Sequence, residues 1–208
     1  MNKLSTDILI EQLAEQPRST TAEFNPRLLT LALLCITSLL LLLIIGGLLG
    51  FRSDWSLTAI SKPLLFALIV ACCTLQITKL AYPLESLHKP ALLHLPFSAV
   101  CFMVLFTAPP LSLQEALNYD SYSFCLLFNT IAGLGIFALL RFMLRRARPA
   151  SPHGFSAWLG LLSSALASGV YGLHCVQDAP MYILTAYFPM MLLVTAVAAV
   201  LPQKSWFW

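Results

Sequence analysis

"LLTLALLCITSLLLLLIIGGLLG", residues 28–50, runs for 23 residues without a charged side chain. A bilayer core about 30 Å thick is crossed by roughly 20 apolar residues in a helix, so this stretch is long enough to span. Working outward from it, comparable runs lie near 63–82, 91–108, 122–144, 154–174 and 180–201. With 59% hydrophobic and only 10% charged residues, and a mean hydropathy of +0.82, the chain is too apolar for a soluble domain of 208 residues. The expectation is an all-α membrane protein with six transmembrane helices. Lipid offers no partner for exposed backbone amides, which leaves helices as the natural solution for such runs.

Charge sets the orientation. With the N-terminus inside, ten cations fall on the inner face: Lys3, Arg18, Arg27, Lys79, Lys89, Arg141, Arg145, Arg146, Arg148 and Lys204. Only Arg52 and Lys62 fall on the outer face. Cytoplasmic loops carry the excess of Lys and Arg, so both termini are expected to be cytoplasmic. The net charge of +3 then reflects topology, and no direct nucleic-acid partner follows from it. The first apolar run begins too late and is too long for the h-region of a cleaved leader. Three parts result: a cytoplasmic arm over 1–27, a bundle over 28–201 and a C-terminal stub over 202–208.

Within the arm, "STDILIEQLAEQP", residues 5–17, reads as a short helix with Ser5 or Thr6 as N-cap and Pro17 beyond its end. Ile8, Leu9 and Leu13 form its apolar stripe. A helix of two to three turns is marginal alone in water, so it requires a partner or the membrane surface. In the bundle, Gly160, Ser164, Ser168 and Gly172 recur every four residues, a small-residue stripe that permits close helix approach. Asn129 and Gln76 read as buried polar groups that bond across helices. No Asp or Glu lies deep in a span, which argues against a proton-coupled pump or an ion channel.

Depth sorts the cysteines. Cys35, Cys72, Cys73 and Cys101 lie within spans, where a thiol packs as a small apolar group. Cys125 opens the fourth span and Cys175 follows the fifth. Their midpoint, 150, falls in the turn "RRARPASPH". Two antiparallel helices rising about 1.5 Å per residue therefore return both thiols to the same outer level. His174 and Asp178 flank Cys175, so thiols, an imidazole and a carboxylate converge on a donor set suited to zinc or a softer ion. Packing, capping and a static disulfide remain the alternatives, because no C-x-x-C motif is present.

The arm "TDILIEQLAEQ", the "FCLL" that opens the fourth span, the "LRRARP" that closes it and "YGLHCVQDAP" after the fifth together resemble the NrsF family, negative regulators of sigma F in bacteria. Ala186 and Tyr187 stand where members tend to carry a Trp-Tyr pair. The resemblance covers essentially the whole chain. It implies a multi-pass anti-sigma factor of the bacterial inner membrane that sequesters an extracytoplasmic-function sigma factor and releases it under stress. It also implies signal-sensing residues at Cys125, His174, Cys175 and Asp178, with Cys125, Cys175 and His174 as metal ligands. Ile8, Leu9 and Leu13 would supply the sigma-binding stripe. No resident cofactor is expected; a transient thiophilic metal ion or a Cys125–Cys175 disulfide would carry the signal. No enzymatic activity is expected. The alternatives are a membrane thiol-quinone oxidoreductase, which would need a reactive dithiol, or a metal-handling membrane protein, which would need a polar path through the bundle.

Overall fold

A computed structural model describes residues 26–48, 50–51, 53, 56–80, 111–119, 122–144, 149 and 151–201. The elements are α1 (Pro26–Leu48), α2 (Leu57–Leu80), the short α3 (Leu113–Leu117), α4 (Tyr122–Met143), α5 (Pro152–Gly172) and α6 (Pro180–Val200). No strand occurs among the described residues. The third apolar stretch, 91–108, the arm with Ile8, Leu9 and Leu13, and the stub lie outside them.

Segments of α2 (Leu57–Thr78), α4 and α6 are long and apolar enough to cross a membrane, and α1 adds a shorter apolar stretch, Leu34–Leu48. Their outward faces carry Leu43, Leu48, Leu127, Ile131, Leu192 and Val200, all exposed. Apolar exposure on this scale is foreign to a soluble monomer and natural against lipid. The protein is accordingly membrane-associated.

Helix α5 is the hub, packed along α2, α4 and α6. Its serines and glycines lower its hydropathy, and neighbouring helices rather than lipid cover it: Gly160, Ser163, Ser164, Ser168 and Gly172 are all buried. The small stripe is thus divided among partners. A Cβ on Gly160 would meet Ala198 Cβ at 2.6 Å in α6, while one on Gly133 of α4 would meet Ser164 Cα at 3.4 Å. Buried serines are affordable here because Ser163 and Ser164 bond back to the carbonyls of Gly160 and Leu161, at 2.9 and 3.0 Å.

The start of α2 differs from the hydropathy boundary at 63. Ser56 caps the helix, its Oγ accepting the Ala59 amide at 3.2 Å, and a full turn forms before Pro63. Hydropathy excludes this turn because it carries Ser61 and Lys62, yet both are buried. Before α4, α3 is closed by a capping box in which Ser112 and Glu115 bond each other's backbone amides, at 3.2 and 2.8 Å. These bonds from Ser112 hold the Glu115 carboxyl below its ordinary value. The box therefore supports α3 above that ordinary value and is lost as pH falls through the lowered one.

Candidate functional site

One end of the bundle gathers the chain's chemistry: the start of α2, the start of α4, the turn 173–179 after α5 and the start of α6. Cys125 sits in the first turn of α4 and is fully buried; Cys175 lies in the 173–179 turn and is 6% exposed. Both are thiols. The Tyr187 hydroxyl lies against both of them, and the Tyr182 hydroxyl lies against Cys125. Neither phenol has a nitrogen or oxygen partner, so weakly accepting sulfur is the polar neighbour that each possesses. Asn129, one turn on from Cys125, donates its Nδ2 to the Cys125 carbonyl at 2.9 Å and to its Sγ at 3.4 Å. The expectation that Asn129 bonds across helices is thereby corrected for its donor: the amide reads back along its own helix.

Two tyrosines five residues apart share this face because α6 is not uniform. Ile183–Tyr187 forms a π turn, in which the Phe188 amide reaches the Ile183 carbonyl. Pro189 explains it. Proline carries no amide hydrogen and its ring crowds the carbonyl four residues back, which is that of Thr185. The widened turn relieves the crowding and brings Tyr187 nearly above Tyr182, as π segments often do at functional positions. The Thr185 carbonyl accepts instead from the Tyr122 hydroxyl at 3.1 Å, which ties α4 to the π turn. Tyr122→Phe is expected to lower stability by about 1 kcal/mol, measured by thermal unfolding in detergent; an unchanged midpoint would show that the tie contributes nothing.

Rings enclose the thiols. Tyr171 lies 5.2 Å from Phe128 and 6.5 Å from Tyr187, Tyr182 stands edge-on to Tyr119 at 5.5 Å, and Phe66 closes on Tyr187 at 5.2 Å between centroids. This end of the bundle excludes water from the sulfurs, Cys125 being fully buried and Cys175 nearly so.

The other two candidate residues are engaged elsewhere. His174 directs Nδ1 at the Gly50 carbonyl, 2.8 Å away, with Gly50 in the left-handed region at φ +76°. Asp178 pairs with Lys62, Oδ1 to Nζ 2.9 Å. Among the described residues, no three His, Cys, Asp or Glu side chains gather as a metal-holding group.

Lys62 is the main residue that sequence reasoning missed. Counted as an outer-loop cation, it is fully buried in the second turn of α2. Its Nζ also donates to the carbonyls of Cys175 at 2.7 Å and Gln177 at 2.9 Å. Three ammonium hydrogens thus meet three acceptors. The available signal was a lone lysine and a lone aspartate set at the same end of apolar segments, where an unpaired charge would be costly.

A family model described as "NrsF: Negative regulator of sigma F" matches residues 13–208, a stretch that includes Leu13 and the whole of this site. No curated protein and no solved structure matches the chain.

Proposed function

The chain belongs to the NrsF family of negative regulators of sigma F, and on that premise we propose that it is a polytopic anti-sigma factor holding an extracytoplasmic-function sigma factor at the bacterial inner membrane. In this reading the bundle over 28–201 crosses the membrane six times with both termini cytoplasmic, as the ten-to-two distribution of Lys and Arg favours. The arm presents Ile8, Leu9 and Leu13 as anchors for a groove on the sigma factor, in the manner of an amphipathic helix. The protein catalyses no reaction and binds no nucleic acid directly. The observation that carries the proposal is the family match over 13–208.

Sensing at the outer face is the second part of the proposal. Cys125 belongs to α4 and Cys175 to the turn leaving α5, and both share Tyr187 as a neighbour. A disulfide, or a thiophilic metal ion between the sulfurs, would tie the two helices in a new arrangement. The signal can shift sigma binding only as far as it favours one bundle state over the other; a preference of about 1.4 kcal/mol changes affinity tenfold.

The test is co-purification of sigma factor from solubilised membranes. Wild type, Cys125→Ser and Cys175→Ser are expected to retain sigma at rest, and oxidant or thiophilic metal should release it from wild type alone. Joint replacement of Ile8, Leu9 and Leu13 by Asp should free sigma without any signal. If no sample retains a sigma factor, the anti-sigma reading fails. Equal release from both cysteine variants would remove the sensing part and leave retention intact.

A further inference from the structure

We propose that Lys62 is the positioning residue of the Cys175 thiol. Its ammonium clamps the 173–179 turn to α2 and so keeps Cys175 sealed inside the bundle end. The bonds of the turn's own amides, from Cys175 to the Tyr171 carbonyl at 3.1 Å and from Ala179 to Gln177 Oε1 at 3.2 Å, hold its two ends but not the Cys175 and Gln177 carbonyls between them. Leu173 keeps right-handed helical geometry, but residues 175–179 carry no regular structure. Such a segment is expected to open readily unless something outside it holds the backbone.

Lys62 supplies the hold at three points along the turn. It bonds the carbonyl of Cys175, the carbonyl of Gln177 and the carboxylate of Asp178 at 2.7, 2.9 and 2.9 Å. The lysine stem passes beside Gly172, where a Cβ would stand in ordinary contact with Lys62 Cε at 3.6 Å. The carbonyl of Gln177 is shared: the Cys175 Sγ donates to it at 3.9 Å and the Lys62 ammonium at 2.9 Å. A change at this sulfur that removes its hydrogen therefore alters an oxygen that Lys62 holds, and α2 is the element that would register it. This consequence rests on the sensing reading above. The clamp itself does not, because it can be read without any sigma factor.

The experiment uses the full-length chain in detergent with Cys35, Cys72, Cys101 and Cys125 replaced by Ala, leaving Cys175 and Cys73. Cys73 lies in α2 and is 1% exposed, which makes it the internal reporter of general unfolding. Labelling by a polyethylene-glycol maleimide is followed by gel shift, with mass spectrometry assigning each site. In Lys62→Met, Cys175 is expected to label at least tenfold faster while Cys73 keeps its slow rate. The double variant Lys62→Met with Asp178→Leu, which removes the ion pair and leaves no lone charge, should label Cys175 just as fast, since the carbonyls have still lost their donor.

Three results would overturn the inference. An unchanged Cys175 rate in Lys62→Met means the turn holds itself. Acceleration shared by Cys73 in both variants means that Lys62 supports the whole fold and not this turn. Fast labelling in the single variant but slow labelling in the double one assigns the opening to the stranded Asp178 carboxylate. Failure here would leave sigma retention and release untouched, so the two readings are separable.

Discussion

Asp178→Leu alone is expected to destabilise the bundle by about 3–5 kcal/mol, because removal of one member of a buried pair strands the other. Lys62 is fully buried, while the Asp178 side chain keeps 10% exposure, so the stranded ammonium has little water to turn to. Two carbonyls still accept from it, which places the expected loss toward the lower end of that range. Combining Asp178→Leu with Lys62→Met should recover most of it, to within about 1 kcal/mol of wild type, since well-packed apolar pairs replace buried ion pairs at little or no cost. The Cys175 and Gln177 carbonyls would then lose a donor, and this keeps full recovery out of reach. Thermal or denaturant unfolding in detergent measures all three variants. A single variant as stable as wild type would mean that water reaches Lys62 freely, and a double variant no better than the single would mean that the carbonyl bonds, not the charge pair, dominate.

The same pair shows where the sequence was readable and where it was not. The run 122–144 declares itself because spanning depends on run length, and Tyr122–Met143 is long and apolar enough to cross a membrane; the stripe from Gly160 to Gly172 does so because helical period is fixed. Equal counting from residue 150 puts Cys125 and Cys175 at one level, and the structure has both at one end of the bundle. Lys62 was misplaced because hydropathy scores each charge as if it stood alone, whereas its partner is distant in sequence. Tyr182 and Tyr187 were missed for a different reason: on a regular helix, residues five apart do not align, and only the π turn before Pro189 makes them neighbours. Asn129 was assigned to a neighbouring helix when the Cys125 carbonyl, one turn back on its own, was the nearer acceptor. Lys62 required a distant partner, the tyrosines a local departure from helical period and Asn129 a choice between acceptors, whereas the successes required only length or period.

Gly160→Leu is the second large effect, with an expected loss of about 3 kcal/mol or failure of α5 to seat against α6, as overpacking of a tight contact produces. The Cβ alone would stand 2.6 Å from Ala198 Cβ and 3.1 Å from both Thr195 Cα and the Val194 carbonyl oxygen. Two of these three atoms are backbone, so no side-chain rotation relieves the clash and the helices must separate. Separation would also loosen Tyr182 and Tyr187, which α6 presents to the thiols at its opposite end. Gly135→Ala supplies the contrast, because nothing lies within 4 Å of a Cβ there and alanine is the better helix former by roughly 0.8–1.0 kcal/mol. It should therefore leave the protein as stable as wild type or slightly more so. The four-residue stripe already sets Gly160 apart from Gly135 in the sequence; the difference in sign arises from which face each one occupies. Equal stability of Gly160→Leu and Gly135→Ala in a detergent unfolding series would mean that α5 and α6 do not meet through Gly160, and the seam that orders the aromatic shell around Cys125 and Cys175 would have to lie elsewhere.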